Sequence, residues 1–136
     1  MLGRKKAINQ YGNVAVGSEA GYASPHRLVQ MLMEGVLTKL STAKGQLFRK
    51  DYAAKSKEIS AAISIIAALK GSLDMEAGGE IAINLDDLYA YIRGRLFDAN
   101  VDNDIAAIDE VISLVGQIKE AWDAMPAQAS TSPVKS

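Results

Sequence analysis

The distribution of proline is the feature that most constrains how this chain can fold. Pro25 and Pro126 frame about a hundred residues with no other proline, and Pro133 lies near the end of the chain. Proline interrupts helices because it lacks a backbone N–H and clashes with the preceding turn. Since no proline lies between residues 26 and 125, this stretch is free to form long helices.

Apolar residues recur within this stretch at spacings of three and four, the pattern of a helix with one buried side. The pattern predicts helices from Pro25 to about Arg49, from after Asp51 to about Leu73, over residues 80–99, and from residue 105 to near Met125. On the third helix, the positions expected to point inward are Leu85, Leu88, Ile92, Leu96 and Ala99.

The residues between these stretches are typical of helix ends. Ser24 and Asp51 are suited to cap the first and second helices, and Asp102 or Asn103 the fourth. Glycines 78 and 79 permit a tight turn before the third. Because short connections favour antiparallel neighbours, the sequence predicts an all-α, up-down-up-down four-helix bundle over residues 24–125.

The two ends of the chain have a different composition. Residues 1–23 contain four glycines and no sustained apolar period, so we expect a flexible N-terminal arm with a short apolar element around residues 7–11. Residues 126–136 are mostly small and polar and are expected to form a disordered tail.

Composition argues against several classes of function. Fifteen basic and 16 acidic side chains give a net charge of −1, so neither nucleic acid nor an anionic membrane is an expected partner. The chain has no cysteine and no apolar run of the roughly 18 residues needed for membrane insertion. Its first twenty residues also lack the long apolar segment of a secretory signal peptide, so such a signal is not expected.

Catalytic and metal sites are not expected either. His26 is the only histidine, and a di-metal site in a four-helix bundle needs two Glu-x-x-His pairs. Asp98 to Asp109 follow part of the spacing of a calcium loop, but the sixth position is Asn103 instead of glycine and the twelfth is aspartate instead of glutamate. These residues are more typical of a turn and a helix cap. The chain is therefore predicted to be a non-enzyme without a metal or other cofactor.

The second and third predicted helices carry more apolar residues than one buried side requires, and this surplus indicates a binding surface. The surplus residues lie off the main pattern of these helices and are Ile65, Ile81, Ile83, Tyr89, Tyr91 and Phe97. Such a surplus favours a groove for an amphipathic helix of another protein. The same residues could instead pack against the N-terminal arm or join two copies of the chain as a homodimer.

An ordered set of motifs resembles the flagellar secretion chaperone family. Residues 24–32 are similar to the Ser-Pro-x-x-Leu-Ile-x-Met-Leu opening of its first long helix, and residues 73–82 to its turn before the third. Leu85-x-x-Leu88-Tyr89-x-Tyr91 matches its Leu-x-x-Leu-Tyr-x-Tyr pattern. The similarity continues to Trp122, although Met33 stands where the family usually has an aromatic residue.

This resemblance implies a helical bundle that binds the C-terminal segment of flagellin in the cytoplasm. Binding would prevent premature polymerisation and present flagellin to the export apparatus, without nucleotide or metal. The predicted client-binding groove residues are Ile65, Ile81, Leu88, Tyr89 and Tyr91. The resemblance also implies that Ile8 and Tyr11 dock the complex at the export gate and cover the groove. The alternative is a structural or self-associating bundle with no export role.

Overall fold

A computed structural model describes residues 23–126 and 132–135 as four consecutive α-helices with a short C-terminal segment. The helices are α1 (Pro25–Phe48), α2 (Tyr52–Gly71), α3 (Gly79–Asp102) and α4 (Ile105–Ala124). The predicted all-α architecture is confirmed, and each predicted helix lies within a few residues of its observed bounds. Ile8 and Tyr11 lie outside the described residues.

Side-chain caps fix where three of these helices begin. Ser24 Oγ accepts a hydrogen bond from the Arg27 amide at 3.1 Å, and Asp51 caps α2 in the same way. The cap of α4 is Asp104 and not Asp102 or Asn103, so that prediction was wrong. Asn103 ends α3 in the left-handed region at φ 53°, a conformation that asparagine tolerates and that turns the chain towards α4.

Contacts between helix ends define the direction of each neighbour. The end of α2 meets the start of α3 through Lys70 and Asp86 at 2.7 Å. The end of α4 meets the start of α1, where Trp122 Nε1 donates to the His26 carbonyl at 3.0 Å. Packing of α1 on α2, α2 on α3, α3 on α4 and α4 on α1 closes a ring of four antiparallel helices. The predicted up-down-up-down topology is confirmed.

A continuous apolar core fills the centre of this ring. Its largest fully buried side chains are Met31, Leu32, Met33, Val36, Leu40, Ile59, Ile65, Ile66, Leu69, Ile92, Leu96 and Ile108. Burial of each such side chain stabilises a fold by about 1.5–3 kcal/mol before conformational entropy is subtracted. The flexible thioether of Met33 therefore serves as a core residue at the position where an aromatic is usual in the family that the sequence resembles.

One buried polar contact joins the start of α2 to the end of α3. Lys55 is buried, and its Nζ donates to the carbonyl and the side-chain oxygen of Asn100 at 2.8 and 2.9 Å. Ser56 Oγ donates to the same side-chain oxygen at 3.0 Å. Burial lowers the pKa of Lys55, and the ammonium group is stabilised by two uncharged acceptors, one of them a carbonyl in the last turn of α3.

The prediction of a disordered tail is wrong for residues 132–135. Pro133 and Val134 are buried, and Val134 forms an antiparallel bridge with Leu73 just after α2. The composition of the tail gave no indication of this, because the contact depends on two side chains that meet a turn some sixty residues away in sequence. Residues 127–131 and 136 lie outside the described part of the chain.

Candidate protein-binding surface

Helix α3 carries large apolar side chains on its outward half as well as its inward half. Its exposed apolar residues are Ile81, Ile83, Leu88, Tyr91, Phe97 and Val101. Phe97 and Val101 are the most open of these, with 65% and 66% of their surface accessible. Exposed aromatic and aliphatic side chains concentrated on one helix are typical of a surface that binds another protein.

Two of the predicted groove residues lie in the core. Ile65 on α2 and Tyr89 on α3 are 1% and 3% exposed, so their placement on an open surface was wrong. The remaining three, Ile81, Leu88 and Tyr91, are exposed.

The error at Tyr89 has a geometric origin. Leu85 and Ile92 are seven residues apart, and either Leu88 or Tyr89 between them satisfies the spacing of three and four. Leu88 was predicted both as an inward position of the helical pattern and as a groove residue. In the structure Tyr89 occupies the inward position and Leu88 is turned outward. The inward residues of α3 are thus Ala82, Leu85, Tyr89, Ile92, Leu96 and Ala99.

On the side of α3 that faces α4, Tyr91 belongs to a polar network. Its hydroxyl donates to Glu110 Oε2 at 2.5 Å, and Arg95 Nε donates to Glu110 Oε1 at 2.7 Å. The hydrogen bond from Tyr91 is the main cause that lowers the pKa of Glu110, and the same bond raises the pKa of Tyr91. Tyr91 therefore contributes to the seam between α3 and α4 through its hydroxyl.

On its outer side, α3 carries a strip of small and apolar residues, all of them exposed. Ile83, Ala90, Gly94, Phe97 and Val101 follow one another at intervals of seven, four, three and four residues, which places them on one side of the helix. We call these five residues the α3 stripe. Ile83 was noted in the sequence as off the core pattern, but Val101 and the small pair Ala90 and Gly94 were missed. Their intervals of three, four and seven residues from Phe97 are the signal that would have found them.

A shallow pocket of about 320 Å³ lies between the α3 stripe and α2. It is lined by Ile63 of α2 and by Ala90, Arg93, Gly94 and Phe97 of α3. A side chain at Gly94 would meet no other atom within 4 Å, so the floor of the pocket is open to solvent. A floor of small residues beside an exposed phenylalanine is shaped to receive apolar side chains of a second helix.

Within residues 23–126 and 132–135, no group of three or more His, Asp or Glu residues is arranged to hold a metal ion. His26 is part of the packing between helices, since its ring stacks on Trp122 with centroids 5.0 Å apart. Among the described helices, none combines the length and apolar character needed to cross a membrane.

Comparison with known proteins identifies the family. The sequence profile described as "Flagellar protein FliS" matches residues 7–129. The chain belongs to the FliS family. It is 44% identical to the flagellar secretion chaperone FliSB of Pseudomonas aeruginosa, over 87% of this chain and 94% of that protein. It is also 45% identical to the flagellar secretion chaperone FliS of Salmonella typhimurium, over 90% and 92% of the two chains.

The similarity extends to distant relatives. The flagellar secretion chaperone FliS of Bacillus subtilis is 29% identical over 74% of each chain. Membership of the family agrees with the resemblance inferred from the ordered motifs of the sequence.

The burial of Tyr89 predicts a dependence of stability on alkaline pH. Burial raises the pKa of the Tyr89 phenol above the value of about 10 expected in the unfolded chain. Above pH 10 the unfolded chain releases this proton while the folded chain keeps it, so stability falls as pH rises. The free energy of unfolding should fall by up to about 1.4 kcal/mol more per pH unit in the natural chain than in Tyr89→Phe.

Urea denaturation between pH 9 and 11 measures this difference. Tyr52→Phe, which changes an exposed tyrosine, is the matched control and should behave like the natural chain. Equal pH dependence in Tyr89→Phe and the natural chain would contradict the placement of Tyr89 in the core.

Proposed function

We propose that this protein is a cytoplasmic flagellar secretion chaperone that binds the C-terminal segment of flagellin. In this role it holds the segment in a state that cannot polymerise and delivers flagellin to the flagellar export apparatus. Membership of the FliS family and relatives that are flagellar secretion chaperones support the proposal. The observation that carries it furthest is the apolar stripe left uncovered on α3.

The α3 stripe has the dimensions of a docking site for a helix. From Ile83 to Val101 it spans 18 residues, or about 27 Å at the usual rise of an α-helix. An amphipathic helix of about five turns would match that length, with large side chains over Ala90 and Gly94 and smaller ones beside Phe97. The sequence resemblance implies such a client, because the C-terminal segment of flagellin is disordered in the monomer and helical in the filament.

Energetics favour an apolar surface for this task. A disordered client loses conformational entropy when it folds on its partner, and apolar burial must exceed that cost. Ile83, Phe97 and Val101 are each at least half exposed, so they retain surface that binding can bury. Burial of each side chain contributes up to about 1.5–3 kcal/mol. Of the groove residues predicted from the sequence, Ile81 and Leu88 are exposed on the same helix, but the helical spacing places them on a different side of it from the α3 stripe, so they stay a separate prediction.

The two phenylalanines of the chain provide a matched test of this surface. Phe97 lies on the α3 stripe and Phe48 at the end of α1, and both are largely exposed. Phe97→Ser should weaken binding of a flagellin C-terminal peptide by roughly ten- to a hundredfold, because that burial is lost. Phe48→Ser should leave the affinity unchanged. Isothermal titration calorimetry measures both, and thermal melts should show that each variant remains folded.

Other outcomes would redirect the proposal. Equal affinities for the two variants would place the client on another surface. A natural chain that does not bind the peptide, but forms a dimer that Phe97→Ser dissociates, would favour the alternative of a self-associating bundle. Light scattering coupled to size-exclusion chromatography distinguishes that case.

The N-terminal arm supplies a second, separable part of the proposal. We assign Ile8 and Tyr11 to docking at the export gate and to covering the groove, as the family resemblance implies. The combined variant Ile8→Ala and Tyr11→Ala should lower flagellin secretion and leave the melting temperature of the bundle nearly unchanged. Immunoblots of culture supernatant and a thermal melt measure the two effects. A large fall in melting temperature would instead make the arm a part of the core.

A further inference from the structure

The turn between α2 and α3 holds a segment that is distant in sequence. Val134 lies opposite Leu73 in an antiparallel bridge, flanked by two backbone hydrogen bonds. The Asp74 amide donates to the Pro133 carbonyl at 2.8 Å, and the Lys135 amide donates to the Ser72 carbonyl at 3.0 Å. In this arrangement the opposed side chains approach closely, and both Leu73 and Val134 are buried.

The turn is shaped to receive this segment. A Cβ atom at Gly78 would lie 2.6 Å from the Pro133 Cα, and also 2.7 Å from the Ala82 Cβ and 2.8 Å from the Asp74 carbonyl oxygen. Glycine is therefore required both by the turn itself and by the passage of the tail. The turn is fixed independently of the tail, since the Gly78 amide donates to the Asp74 carbonyl at 2.8 Å and the Ala77 amide to the Asp74 side chain at 3.0 Å. Ser72 Oγ donates to the Leu69 carbonyl and is also held within the helix end.

We propose that this turn is a binding site for an extended peptide segment, and that its occupant is the chain's own tail, residues 132–135. Backbone pairing with Ser72 and Asp74 provides direction, and the apolar contact of Val134 with Leu73 provides selectivity for a β-branched side chain. Because the tail is tethered to the end of α4 by a few residues, its effective concentration at the site is high and a small contact suffices.

The location of this site gives it a mechanical consequence. The turn leads directly into Gly79, the first residue of α3, and Pro133 lies against Gly78 immediately before it. The tail therefore links the C-terminus of the chain to the start of the helix that carries the α3 stripe. Release of the tail would uncover Leu73 and remove the Pro133 contact beside the first turn of α3, whereas the turn and the bundle would keep their own hydrogen bonds and core.

Amide hydrogen exchange followed by NMR tests the proposal on the full chain. The Asp74 amide should exchange slowly in the natural protein and roughly ten- to a hundredfold faster in a chain that ends at Thr131, because two backbone hydrogen bonds and one valine contact are lost. Val134→Asp should have the same effect, since it places a charge in the buried site. Lys135→Ala is the control, because only the backbone of that residue forms the described hydrogen bond.

Two results would overturn the proposal. If the Asp74 amide exchanges at the same rate in the natural chain and in the chain that ends at Thr131, the tail does not occupy the site. If protection appears only at concentrations where light scattering detects a dimer, the occupant is the tail of a second copy. Amides in the centres of α1 and α4 should remain protected in every variant, which shows that the bundle is folded.

Discussion

The ring of four antiparallel helices can bury only one side of each helix, and α3 has apolar residues on more than one side. Tyr89, Ile92 and Leu96 occupy the core, so Phe97 and Val101 have no place within it. Rotation of α3 about its axis would bury Phe97 and Val101 but expose Tyr89, Ile92 and Leu96, because the two sets lie on different sides of the helix. Some apolar residues of α3 would therefore remain exposed in either orientation. The rest of the structure thus supplies a stable support for a surface that remains uncovered in the described chain.

The residues of α3 that stabilise the fold are consequently different from those that we propose to bind a client. The core residues of α3 pack against α2 and α4, and the network of Tyr91, Arg95 and Glu110 joins α3 to α4 at the surface. On the other side of α3, Lys55 of α2 donates hydrogen bonds to Asn100 near the end of the helix. Residues of the α3 stripe take no part in these contacts, so the helix remains in position whether or not its outer side is occupied.

The sequence was sufficient for the fold because the signals were local and repeated. Proline spacing, periodicity and the caps Ser24 and Asp51 each depend on neighbouring residues, and they agree on four helices. The choice between Leu88 and Tyr89 could not be made in this way, because both satisfy the helical period and only tertiary packing distinguishes them. Ile65 was misplaced for a similar reason, since a wide apolar side on α2 does not reveal which edge faces solvent.

The contact of Val134 with Leu73 was beyond sequence reasoning, because a segment of small and polar residues has no local pattern that names its distant partner. The family, in contrast, was recognisable from the order of its motifs along the chain.

We propose that the uncovered side of α3 receives a helical segment of a client. The most direct test is to titrate an isotope-labelled chain with a flagellin C-terminal peptide and record the change in each backbone amide resonance. We expect the largest changes to map to the α3 stripe and to Ile63 of α2. Changes confined to the seam between α1 and α4, or no change at all, would contradict it.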